Sequence, residues 1–145
     1  MGTTCWATPG EMPKLNLNIQ MFPMAANAFA WVEIYVQDLE RAKAFYEALF
    51  GFQLEKLESQ IPMWAFPSDS SQWGAGGALV HMPGVPSGGS GTLAYFSSAD
   101  CISEEGRAVA AGGSVKQTKM SIGPFGFISI LVDTEGNAIG LHSMA

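Results

Sequence analysis

Residues 38–51 read DLERAKAFYEALFG, and this stretch decides how the rest of the chain is parsed. Asp38 is a residue type that caps helix N-termini through its side-chain oxygen. Leu39, Ala42, Phe45, Tyr46 and Leu49 then recur at three- and four-residue intervals, and Gly51 stands where a left-handed C-terminal cap is wanted. The signals specify one amphipathic helix with both ends marked. They return at Asp100, which precedes a helix carrying Cys101, Ala108, Val109 and Ala111 on its apolar side and closed by Gly112 and Gly113. Asp38 to Asp100 and Gly51 to Gly113 are both intervals of 62. The same offset pairs Ala48 with Ala110, Pro62 with Pro124, Leu79 with Leu141 and Met82 with Met144. Two related halves follow from caps, a proline and strand residues falling in step.

Around each helix the alternation changes to the strand period. Phe29 to Gln37 leads into the first helix, and runs at Phe52 to Leu57, Pro62 to Phe66 and Gly76 to Met82 follow it. Thr92 to Ser98 leads into the second, followed by Ser114 to Met120, Phe125 to Val132 and Ala138 to Met144. The last two are joined by the turn Asp133-Thr134-Glu135-Gly136-Asn137. The unit is strand, helix, three strands, twice over: an α+β chain. The expected organisation is a tail or arm over 1–28, anchored by Met21, Phe22 and Met24, then one domain over 29–145. That domain comprises module 1 (29–83), a Pro/Gly/Ser linker (83–91) suited to a hinge, and module 2 (92–145).

Composition narrows the function classes. The chain has 145 residues, 48% hydrophobic and 14% charged, enough apolar material for a core. Seven Lys and Arg against thirteen Asp and Glu give a formal charge of -6, the wrong sign for a nucleic-acid backbone or an anionic membrane. A cationic small molecule suits it better. Two cysteines, Cys5 and Cys101, do not make a disulfide framework, and no run of eighteen apolar residues or signal-like start is present. A cytoplasmic protein with free thiols is expected. Cys101, near a helix start, has no local histidine and reads as a packing residue. GAGG (Gly74 to Gly77) and GGSG (Gly88 to Gly91) lack the lysine and helix context of a phosphate loop.

VEIYVQDLERAKAFYEALFGF (Val32 to Phe52) and VDTEGNAIGLHS (Val132 to Ser143) together resemble the opening strand-helix and closing hairpin of the vicinal oxygen chelate superfamily. That superfamily includes glyoxalase I, extradiol dioxygenases and the fosfomycin- and bleomycin-resistance proteins. The resemblance implies two βαβββ modules, the glyoxalase/bleomycin resistance/dioxygenase fold, with curled mixed sheets forming a U-shaped cleft, usually in a homodimer. In metal enzymes of the family the cleft holds a divalent ion through His or Glu on the first and fourth strands of each module. Carried onto this chain by spacing, those positions fall on Trp31, Ala78, Leu93 and Gly140. None offers a lone pair suited to such a cation, so neither metal nor other cofactor is expected. A shifted site would have to be built from Glu33, His142 and water.

Val32, Ile34 and Val36 are uniformly aliphatic and should lie beneath the helix, which turns Trp31, Glu33 and Tyr35 to the cleft. The ligand-binding set expected from this parity together with the positions the resemblance implies is Trp31, Glu33, Tyr35, Ala78, Val80, Leu93, Tyr95, Gly140 and His142, with Ala78 and Gly140 leaving free volume and Met63, Trp64, Phe66 and Trp73 as further walls. Glu33, a carboxylate on an apolar face, needs a partner: His142, a tyrosine hydroxyl, or a bound cation. It either selects a positive group on an aromatic ligand, with cation-π help from Trp31 and the tyrosines, or it serves only to position the strand. In the first case affinity falls in acid as the carboxylate is neutralised.

The function that follows is metal-independent capture of a hydrophobic, cationic aromatic compound by a bleomycin-resistance-like binding protein, rather than an enzyme. The alternative is a glyoxalase- or dioxygenase-like lyase, isomerase or oxidoreductase with Glu33 and His142 as catalytic candidates. A third is an interaction module whose cleft receives another protein.

Overall fold

The computed structural model describes residues 31–72, 74–89 and 91–145. The tail with its Met21, Phe22 and Met24 anchor, together with Cys5 and Trp73, lies outside the described residues. Module 1 contains β1 (Trp31–Tyr35), α1 (Leu39–Phe50), β2 (Glu55–Lys56), β3 (Met63–Ala65) and β4 (Gly76–Val80). Module 2 contains β5 (Ala94–Ser97), α2 (Cys101–Ala110), β6 (Ser114–Ser121), β7 (Phe127–Val132) and β8 (Ala138–Ser143). The architecture is α+β with two like modules. Each forms a four-stranded mixed sheet, ordered β1-β4-β3-β2 and β5-β8-β7-β6, and the sheets do not close on each other. β1 runs parallel to β4 and β5 parallel to β8, while the remaining pairs are antiparallel.

The helices form where their caps dictate. Asp38 accepts the Arg41 N–H at 3.0 Å, and Gly51 ends α1 at φ 75° while its N–H returns to the Glu47 carbonyl. α1 buries Ala42, Phe45, Tyr46 and Leu49, the stripe read from sequence. α2 differs from its reading. Its buried stripe is Cys101, Glu104 and Ala108, whereas Val109 is 60% exposed. Residues 101, 104 and 108 stack on one face, and Val109 lies about 100° round from Ala108. Glu104 tolerates burial because it accepts from Arg107 Nη2 at 2.6 Å and Ser98 Oγ at 2.5 Å. Cys101 packs, with its thiol 3.3 Å from Ser143 Oγ. Phe125, read as the start of a strand, lies instead in a 3-10 turn (Gly123–Phe125), because Gly123 (φ 71°) and Pro124 turn the chain before β7 begins.

One hydrophobic core serves both modules. Ile34, Phe45 and Leu49 from the first share it with Leu131, Ile139 and Leu141 from the second, all buried. Each such side chain contributes about 1.5–3 kcal/mol. Tyr46, Phe50, Phe66 and Phe96 add an aromatic seam across the junction, with Phe50 and Phe96 centroids 4.8 Å apart. Two hydrogen bonds reach the linker: Gln37 Nε2 donates to the Val85 carbonyl at 3.0 Å, and the Gly88 N–H donates to Asn137 Oδ1 at 2.6 Å.

Candidate functional site

Strand alternation places the side chains of the expected site. Val32 and Ile34 turn to the core, and Trp31, Glu33 and Tyr35 to the other face of β1. Register sets Glu33 beside Ala78 and Tyr35 beside Val80, and in module 2 it sets Tyr95 beside Gly140 and Ser97 beside His142. Ala78 and Val80 are fully buried, so they are part of the packed sheet rather than open wall. Trp31 and Tyr95 remain about half exposed, at 44% and 49%, and Leu93 is exposed at the head of β5. These two aromatic rings are available for stacking.

The volume expected over Gly140 is filled. A Cβ added there would run into Cδ1 and Cε1 of Tyr95, so the tyrosine ring lies across the glycine backbone. Trp31 does the same over Gly76, whose added Cβ would meet the indole at 3.0 Å. Glycine here admits a neighbour's ring rather than a ligand atom. Gly140→Ala should lift the Tyr95 ring from the sheet. The measurement is tyrosine ring NMR shifts, and unchanged shifts would mean that the ring does not rest there.

Glu33 Oε2 accepts the Tyr35 hydroxyl at 2.9 Å, both groups being exposed. Of the partners considered for it, the structure provides the tyrosine. The carboxylate and its hydrogen bond raise the Tyr35 pKa from its ordinary 10.0. His142 does not reach Glu33's pair. Its Nε2 lies 2.6 Å from the Phe125 carbonyl, which requires that nitrogen to donate, and the ring lines a cavity with Tyr95, Ile122 and Ile128. Trp31 borders a different cavity, against the 67–76 segment, and Glu33 and Tyr35 a third, against Asn137, Ala138 and the linker. Leu93 and Tyr95 border a fourth, beside Phe52, Phe66 and Phe96, so the expected residues divide among several cavities rather than lining one.

The residues at the four family ligand positions do not fit a divalent ion. Trp31, Ala78, Leu93 and Gly140 carry no oxygen, thiolate or imidazole donor, and the space above Gly140 belongs to the Tyr95 ring. Among the described residues no group of three or more His, Cys, Asp or Glu is placed to hold one elsewhere.

A buried polar lock is the feature that sequence reading treated as a mere turn. Asp133 Oδ1 accepts the Glu135 and Asn137 N–H groups at 2.8 Å each, shaping the β7–β8 hairpin. Asp133 Oδ2 accepts the buried Tyr46 hydroxyl at 2.8 Å, and Asn137 Nδ2 donates to the Tyr35 carbonyl at 3.0 Å. Glu135, with no side-chain surface exposed, accepts the Gln37 and Asp38 N–H groups and takes Arg41 bidentately at 2.7 and 2.8 Å. Burial pushes the Glu135 carboxyl up, but Arg41 and the two backbone donors outweigh it and hold the pKa at about 2 against an ordinary 4.5. Burial first, then the Asp133 charge, pushes the Tyr46 phenol well above 10.0. The closing hairpin of module 2 is thereby fastened to the β1–α1 junction of module 1. DTEGN was the available signal, since an Asp before a glycine turn can take backbone donors while its neighbours point elsewhere.

Comparison with known proteins gives the same fold. Residues 28–60 match the family model described as Bleomycin resistance protein-like N-terminal. Among solved structures, the antibiotic binding protein TnmS3 from Streptomyces sp. CB03234 is 24% identical with a TM-score of 0.61, over 84% of this chain and 99% of that one. A glyoxalase/bleomycin resistance protein from Albidiferax ferrireducens T118 is 23% identical with a TM-score of 0.62, over 79% and 98%. Glyoxalase I from Zea mays is 20% identical with a TM-score of 0.63, over 79% of this chain but 45% of that one, so the chain spans under half its length. No curated protein sequence matches the chain. No helix among the described residues is long and apolar enough to cross a membrane.

Proposed function

We propose, from a chain with the vicinal oxygen chelate fold and a bleomycin-resistance-like first module, that it is a metal-independent binding protein that sequesters a hydrophobic, cationic aromatic compound. The observation that carries this reading is the aromatic flooring, with the Tyr95 ring laid over Gly140 and the Trp31 ring over Gly76 where metal enzymes of the fold would present or surround ligands. Exposed rings stack on flat ligands, and the exposed Glu33 carboxylate, oriented by Tyr35, supplies a negative charge on the β1 face. The overall excess of acidic residues draws cations in the same direction. The structural likeness to an antibiotic binding protein accords with capture rather than turnover. The working form is a homodimer, a reading to which the exposed Phe125 and Met144, at 71% and 69%, offer apolar surface.

The test is fluorescence titration with a cationic aromatic dye and its neutral isostere. Glu33→Gln should weaken the cation about tenfold, the loss of roughly one charge-assisted contact, and leave the isostere nearly unchanged. Equal affinity of wild type and variant for the cationic dye would remove Glu33 from the site.

A further inference from the structure

The two modules are related by the 62-residue offset, and so are two of the cavities at their junction. One is bordered by Val32, Glu33 and Ile34 of β1 and by Asn137, Ala138 and Ile139 at the head of β8. The other is bordered by their counterparts, Ala94, Tyr95 and Phe96 of β5 with Ala75, Gly76 and Gly77 at the head of β4. In the first, Asn137, Asp133 and Tyr46 fill the junction with a hydrogen-bonded lock, and the remaining space is about 170 Å³. In the second, the counterparts of those three residues are Ala75, Ser71 and Ala108, which supply neither the amide, the carboxylate nor the phenol. The space there is about 400 Å³.

We infer that this unlocked junction is a binding site for one neutral, planar aromatic molecule, separate from the Glu33 face. Its volume lies within the ordinary range for small-molecule pockets. Its wall is an unfilled corner of the core: Val32, Phe52, Phe66 and Phe96 are each only partly buried and pack against the central cluster from that side. The rings present edges and faces at several angles, Phe66 to Phe96 at 5.4 Å and 67°, Phe52 to Phe66 at 5.9 Å and 81°. A flat ring entering among them completes offset and edge-to-face contacts. Among the described residues the border contains no Asp, Glu, Lys, Arg or His, so an ionic group entering it would be desolvated without a partner from them. Thr92 and Tyr95 are the described lining residues with polar side chains. This inference is distinguishable from the cation-binding reading, because Glu33 borders the other cavity and does not line this one, although the two cavities share Val32, Ile34, Thr92 and Ala94.

The probe is N-phenyl-1-naphthylamine, a neutral aromatic fluorophore. Saturable enhancement is expected with the wild-type chain, unchanged by Glu33→Gln. Ala75→Phe, at an exposed position on the rim, should weaken it about tenfold or more by filling the cavity. Phe52→Leu, on another wall, should weaken it about threefold by removing a stacking surface, which keeps the test open were Ala75→Phe to misfold. No saturable binding by folded wild type, binding indifferent to both cavity variants, or binding abolished by Glu33→Gln would each overturn the inference.

Discussion

Glu135→Ala destabilises the protein by about 3–5 kcal/mol in urea unfolding, because the truncation strands a guanidinium and two backbone N–H groups that the carboxylate now satisfies. The loss exceeds that of a surface ion pair, since the Glu135 side chain has no exposed surface, although Arg41 is half exposed and keeps some access to water. A change of about 1 kcal/mol or less would show that the lock contributes little. The same carboxylate sets an acid limit. Its pKa is lower in the fold, at about 2, than its ordinary 4.5, so its contribution is complete above pH 4.5 and disappears as pH falls toward 2. That contribution is at most about 3 kcal/mol. Unfolding free energies at pH 7 and pH 3 should therefore differ more for wild type than for Glu135→Gln, which cannot titrate there. Equal differences would remove Glu135 from the acid transition.

What was legible in the sequence was whatever a local pattern encodes. Asp38 and Gly51 mark α1 because capping is decided within a few residues, and both caps stand where the spacing put them. The β1 parity was legible because three aliphatic residues alternate with Trp31, Glu33 and Tyr35. The α+β class and the two βαβββ units follow from such signals taken in order. What was not legible depends on which distant elements meet. Nothing near Gly140 in the chain announces that the Tyr95 ring will cover it, since that contact is made by strand register across 45 residues. Nothing near Tyr46 announces Asp133 as the acceptor of its hydroxyl, and helix periodicity alone makes Tyr46 a plain core residue. The Glu33 pair with Tyr35 was within reach, because residues two apart on a strand share a face. The open junction beside Phe52, Phe66 and Phe96 was not, because it arises from what module 1's hairpin lacks.

The repeat itself conceals a difference that a second substitution series exposes. Gly51 and Gly113 are offset partners, yet they are glycines for different reasons. Gly51 sits at φ +75° with nothing within 4 Å of an added Cβ, so Gly51→Ala is opposed only by the left-handed backbone and costs about 1 kcal/mol. Gly113 needs no left-handed conformation; in module 2 that falls to Gly112, at φ +95°. A Cβ on Gly113 would stand 2.6 Å from the Val132 carbonyl oxygen and 2.6 Å from Phe45 Cε2. Val132 is fixed by its place in the β7 ladder, and Phe45 is a buried ring of α1, so neither neighbour can yield cheaply. Gly113→Ala should therefore cost about 3 kcal/mol, more than twice the Gly51→Ala effect, by forcing α1 away from the start of β6. Phe45→Leu should recover part of that loss in the double variant, since it relieves one of the two collisions, and a double-mutant cycle in urea measures the coupling. Strict additivity of the two changes would mean that the modules do not press on each other at this point.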